Sequence, residues 1–179
     1  LAEIGSLVEA GAIALYDGPS PIENTGLLRR ALEYCSMFDR VILDHPEIAS
    51  LSRGGVMHEG LEQLRLGLSP IPAEAEDLAT SRDLRLVEAT GGRLHLTSIS
   101  THGSVDLCRR AKSRGIQFTS GIFAANIHLS DESLREFDTN CKVNPPLRSR
   151  DHVEACIHGL RDGTIDIISS GHKPSSLEK

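Results

Sequence analysis

Read only for hydrophobic and polar positions, the chain repeats one phrase: a short apolar run, a polar end, then apolar residues at helical spacing. Residues 12–17 (AIALYD) are such a run, ending in Asp17 and followed by a loop at 18–21 (GPSP). Residues 23–38 place Leu27, Leu28, Ala31, Leu32 and Cys35 on one helical face. Residues 40–45 (RVILDH) are apolar again and again end in polar, ligand-capable side chains. A long connection rich in glycine and proline follows, with "GGVMHEG" at 54–60 and "LGLSPIP" at 66–72. Residues 74–90 predict an amphipathic helix with Leu78, Leu84 and Val87 inward, stopped by Gly91 and Gly92.

The phrase then returns. Residues 93–100 alternate as a strand does, 104–114 form a helix stopped by Gly115, and 116–123 form another strand. A short helix is expected at 131–137, and 143–148 (VNPPLR) must be loop, because consecutive prolines cannot serve a central strand. Residues 151–161 form a helix stopped by Gly163, and 164–168 (TIDII) read as a buried strand. Five strand–helix periods point to an α/β fold with a parallel sheet covered by helices. Two closures are open. A doubly wound sheet usually carries a glycine-rich phosphate turn after its first strand, which residues 17–20 (DGPS) are not. A (β/α)₈ barrel needs eight strands and about 250 residues, so this chain can be only part of one.

Composition narrows the function classes. The 179 residues suit one domain, residues 1–179, with an ordinary 39% hydrophobic and 25% charged content. A net charge of −6 argues against a general nucleic-acid binder and gives no reason to expect an anionic membrane surface as partner. The sequence lacks an apolar run of spanning length and a signal-peptide pattern. Cys35, Cys108, Cys141 and Cys156 are far apart, which favours free thiols in a reducing, cytoplasmic setting over disulfides or structural zinc. With 3% aromatics and no tryptophan, a platform for stacking bases is not expected.

Chemistry in such folds sits just past the carboxyl ends of the strands. After the last apolar run comes "SSGHKPS" at 169–175, where Gly171 stands before His172 in place of any acidic group. Together, "GGVMHEG", the stretch from "LGLSPIPAEAED" into Arg82-Asp83, "VNPPLR" and "GTIDIISSGHKPSS" resemble the dihydroorotases of the amidohydrolase superfamily. The resemblance runs over essentially the whole chain, with several motifs in order at natural spacings. It implies a partial (β/α)₈ TIM barrel, roughly strands four to eight with their helices, incomplete on the N-terminal side. The family's first strand, with an H-x-H metal pair and an arginine for the substrate carboxylate, is absent from this chain.

The implied activity is the reversible cyclisation of N-carbamoyl-aspartate to dihydroorotate in pyrimidine biosynthesis, with zinc activating a water and a last-strand carboxylate moving the proton. Carried over position by position, the resemblance makes Asp17 and His45 residual metal candidates; at Asp17 the register is open by one residue. His95 matches a first family histidine and is expected to pack as a hydrogen-bonded core residue, whereas the second histidine is replaced by Ser98, a poor zinc ligand. His102 is expected in the loop beyond. A further histidine pair becomes Ala125 and Asn126, and His128 is displaced to an expected surface position. Asn144 is kept as a substrate-binding residue. Gly171 replaces the aspartate that binds metal and accepts the proton, His172 is preserved but is not a family ligand, and Ser175 replaces a substrate-contacting histidine.

Two functions follow. The favoured one is a non-catalytic homologue with zinc absent or weakly bound and a structural role, by resemblance as a partner of aspartate carbamoyltransferase or through self-association. The alternative is an active zinc-dependent cyclic amidohydrolase with a rearranged site drawing on Asp17, His45, His102, His128 and His172.

Overall fold

The structure, a computed structural model, describes residues 2–18 and 20–173. Leu1, Pro19 in the predicted first loop and Ser175 lie outside the described residues. Five parallel strands form the main sheet: β1 (Ala14–Tyr16), β2 (Val41–Asp44), β5 (Arg93–Leu96), β6 (Phe118–Phe123) and β7 (Ile167–Ser169), in that spatial order. Helices α2 (Thr25–Ser36), α5 (Glu74–Thr90), α6 (His102–Ser113) and α8 (Arg150–Arg161) fall between them. Parallel neighbours need crossovers of this length, so each apolar run delivers one strand and each spaced segment the helix that returns the chain.

Alternation on the strands sets the two faces. Ile42, Leu94, Leu96, Phe118 and Ile122 turn toward the helices and meet Leu28, Leu32, Leu84, Val87, Val105, Cys108 and Cys156 in the main core. Helix ends are set locally. Asn24 caps α2 by accepting from the Leu27 N–H at 2.9 Å, and Thr101 caps α6 by accepting from Ser104 N–H at 3.0 Å. Gly91 closes α5 at φ +67°, a left-handed turn where a side chain would be strained.

The long connection 46–73 is ordered rather than open loop. It holds α3 (Ala49–Ser52), α4 (Leu61–Leu66) and a parallel pair of two-residue strands, β3 (Met57–His58) with β4 (Pro70–Ile71). Met57, Leu134 and Leu147 form a second core beneath it. A short N-terminal helix, α1 (Ile4–Glu9), and α7 (Ala124–His128) complete the α-helices, and the short helix expected at 131–137 is a 3₁₀ helix over Asp131–Glu136.

Three expectations need correction. Leu78 is 55% exposed, not inward: the buried stripe of α5 is instead Ala75, Glu76, Ala79, Thr80, Asp83, Leu84 and Val87. The closing strand is not buried, since Ile167 and Ile168 are 47% and 55% exposed at the sheet's edge, while Thr164 and Ile165 before it are covered. His102 does not lie in a loop but opens α6.

Candidate functional site

The segments that follow β2, β5 and β6 meet the proline-rich loop at 143–148 through Glu47, Ser100 and Asn126. His45 follows β2 directly and is buried. Its Nδ1 lies 2.8 Å from Ser98 Oγ, and its Nε2 lies 2.9 Å from Glu47 Oε2. Glu47 also accepts from Asn144 Nδ2 at 2.9 Å and from the Ser52 hydroxyl. The hydrogen bond from His45, with smaller help from Asn144 and Ser52, holds the Glu47 carboxyl down at about 2 although burial opposes this. An ionised carboxylate only accepts, so Nε2 carries an N–H toward Glu47, and in the neutral ring Nδ1 is then an acceptor for the Ser98 hydroxyl.

Two sequence candidates, His45 and Asn144, therefore meet here, with Ser98, the replacement of a family histidine, beside His45. Glu47, on which His45 and Asn144 converge, and Ser52, which donates to it, escape the sequence reading; Glu47 sits in the "DHPEI" stretch, and its nearness to His45 is the one available signal. Asp17 is exposed at the end of β1, and His128 and His172 are exposed as well. His102 is exposed, and its backbone N–H donates to His152 Nδ1 at 2.8 Å. His95 is half-buried on the face away from the main core, bonded through Nδ1 to Thr119 Oγ1 at 2.8 Å. It is hydrogen-bonded as expected and lies outside the main core formed by the described residues. Burial still pushes its pKa down.

Gly171 takes φ +61°, and a Cβ placed on it would lie 2.8 Å from Phe123 Cγ. The ring occupies the space an aspartate side chain would need. Asn126, one of the two positions where the family has histidine, is buried and donates through Nδ2 to Pro146 O at 3.0 Å, so it ties down the proline loop.

Could these residues hold zinc? A zinc ligand histidine must offer a free ring nitrogen, and both nitrogens of His45 are occupied. Ser98 offers a hydroxyl, Gly171 offers nothing, and among the described residues no three His, Cys, Asp or Glu side chains group as a metal site. The donor set does not fit the ion. Ser98, His45 and Glu47 do reproduce the order of a nucleophile relay. Ser98 has no exposed surface, however, so its hydroxyl cannot meet a substrate carbonyl.

The other end of the same loop enters a second network. Arg148 is 2% exposed and donates to Ser100 Oγ (3.0 Å), Ile71 O (3.2 Å) and Glu76 Oε2 (3.4 Å). Glu76 in turn accepts from Ser100 N–H at 2.7 Å and Thr101 N–H at 3.0 Å. His58 Nδ1 faces Arg148 at 3.3 Å; burial, then the guanidinium charge, pushes its pKa down to about 4. Between the two networks, His45, Glu47, Glu76, Asn144, Pro145 and Arg148 line a cleft of about 10 Å³, room for about one water molecule.

Behind β2, Asp44 accepts from Ile22 N–H and from Arg82 Nη2, both at 3.2 Å, and Arg82 also holds Asp83. Among the described residues no donor faces the buried Asp83 Oδ2. Burial, then the Asp44 charge, raises the Asp83 pKa well above the ordinary carboxylate value.

Comparison with known proteins agrees with this architecture. Residues 1–104 match the family model described as dihydro-orotase-like. The chain is 51% identical over 179 residues to a provisionally named dihydroorotase of Rhodopirellula baltica, covering 100% of this chain and 39% of that protein. It is 48% identical over 179 residues to the dihydroorotase of Pelotomaculum thermopropionicum, covering 100% of this chain and 42% of that one. The chain thus spans about two fifths of the length of these relatives. Among solved structures, a D-hydantoinase superposes with a TM-score of 0.80 at 20% identity, covering 98% of this chain and 41% of its own. The L-hydantoinase of Arthrobacter aurescens gives 0.79 at 22% identity, covering 95% and 40%. The five parallel strands are accordingly a sector of a (β/α)₈ barrel, and the chain belongs to the dihydroorotase-like family.

Proposed function

We propose that this chain is the barrel sector of a dihydroorotase-like protein of pyrimidine biosynthesis that no longer performs the reaction, and that it serves as a scaffold. The observation that carries the reading is Gly171. The position expected to bind metal and accept a proton has no side chain, and the Phe123 ring stands where one would go. Without that carboxylate no group at the closing strand takes the proton from an attacking water. The replacement of a ligand histidine by Ser98 removes a second part of the same centre. Zinc is then absent or weakly bound. The free thiols of Cys35, Cys108, Cys141 and Cys156 suit a cytoplasmic setting.

The structural partner we propose is aspartate carbamoyltransferase, with self-association as the other outcome. The full-length protein, purified with zinc in the medium, is expected to contain no stoichiometric metal and to leave dihydroorotate unhydrolysed. Sedimentation with aspartate carbamoyltransferase of the same organism is expected to give a joint complex. Turnover abolished by His45→Ala would overturn the reading. It would favour the second one, an active cyclic amidohydrolase, for which the names of the relatives speak.

A further inference from the structure

The misfit between zinc and the strand-end residues has a positive counterpart. A buried imidazole stripped of its metal would be left with an unpaired ring nitrogen, and an unpaired buried polar group costs free energy. Here neither nitrogen is unpaired. Ser98 stands where the family has a second ligand histidine and gives His45 Nδ1 a hydrogen bond at 2.8 Å. Glu47 takes the Nε2 side at 2.9 Å and passes the connection to Asn144 at 2.9 Å. Through Ser52 it also grips the end of α3. Asn144 begins the proline pair of the loop, whose other end is held by buried Leu147 and Arg148 and by Asn126.

We propose that Ser98, His45, Glu47 and Asn144 form a metal-independent clasp that holds the first half of the 143–148 loop against the ends of β2 and β5. It rests on the reading above only in taking the metal to be gone. The clasp spans three segments far apart in sequence, with a carboxylate at its centre, and charge-assisted hydrogen bonds of this kind are the stronger ones. Losing the central carboxylate therefore affects all of its partners at once.

The test uses the full-length protein labelled with ¹⁵N, followed by NMR and thermal melting. Excess zinc chloride or EDTA is expected to leave the His45 ring nitrogen shifts and the Tm unchanged. Glu47→Gln is expected to shift the Asn144 side-chain amide resonance and to lower the Tm by about 3–8 °C. Should that variant fail to fold, Asn144→Ala, at an exposed position, replaces it, with an expected loss of about 2 °C and a changed His45 tautomer signal. Zinc that moves the His45 ring shifts and raises the Tm would overturn the clasp. So would an Asn144 or His45 signal indifferent to these substitutions. Dihydroorotate turnover would instead overturn the reading on which it rests, so the two failures are distinguishable.

Discussion

The 143–148 loop touches two polar networks, one at each end, and they differ in kind. At its Arg148 end the partners are Glu76, Ser100 and the Ile71 carbonyl, with Glu76 and Arg148 both nearly free of solvent. At its Asn144 end the partners are Glu47 and His45, and Asn144 itself is exposed. Glu76 and Arg148 both lie in stretches that carry the family resemblance, and their role in the structure is architectural, since they join α5 to the loop through the interior. Ser98 and Gly171 are among the departures from that resemblance, and they lie at the strand ends where such folds keep their chemistry. The buried pairing that joins α5 to the loop is intact, whereas Ser98 and Gly171 stand where the resemblance expects a histidine and an aspartate. The replacement is not a hole. Hydrogen bonds close it around His45, and an aromatic ring closes it beside Gly171.

The largest effect should come from breaking the interior end. Glu76→Ala leaves the Arg148 guanidinium buried without its carboxylate and is expected to cost about 3–5 kcal/mol in chemical denaturation. A loss under about 1 kcal/mol would erase the distinction between the two ends. Next, Gly171→Asp forces a side chain into left-handed backbone against the Phe123 ring and should cost about 1–3 kcal/mol. Combining it with Phe123→Ala should relieve the clash part of that loss, which melting of the double variant would reveal; an unaltered Gly171→Asp melt would remove the steric account.

Acid should separate the two ends by pH. The His58 pKa is lowered from 6.5 to about 4, so the unfolded chain takes up the proton first. Its contribution is whole above the unfolded pKa and is lost as pH falls from 6.5 through about 4. The Glu47 pKa is lowered from 4.5 to about 2, so its contribution is complete above 4.5 and drains as pH falls toward 2. Denaturation midpoints measured along this range are expected to fall first by the His58 step, which His58→Gln should flatten, and then by the Glu47 step, which Glu47→Gln should flatten. The smallest effect belongs to the solvent-exposed pair Arg29–Glu33 on α2, 3.1 Å apart: Arg29→Ala is expected to change stability by no more than about 0.5 kcal/mol.

Much of the fold is legible in the residues alone. The apolar runs at 40–45 and 93–100 contain β2 and β5, and glycine at 91 and 115 marks helix ends. What escapes reading is either too short or too distant. β3 and β4 are two residues each, so no alternation is long enough to announce them. Spacing alone places Leu78 inward, because a helical wheel cannot know that Glu76 and Asp83, both charged residue types, take the buried stripe by finding polar partners. The losses at Ser98 and Gly171 are visible as residue types. That Ser98 satisfies His45, and that Phe123 fills the room beside Gly171, depends on strands brought together from positions tens of residues apart.

The contact between Phe123 and Gly171 also bears on history. A lineage acquiring a carboxylate at position 171 one codon at a time would have to begin either with a crowded, weakened barrel or with a void where an aromatic ring had been. Each first step costs stability before any catalysis could reward it. A carboxylate at position 171 is therefore reached only through a less stable variant, and drift alone would tend to keep the glycine in place.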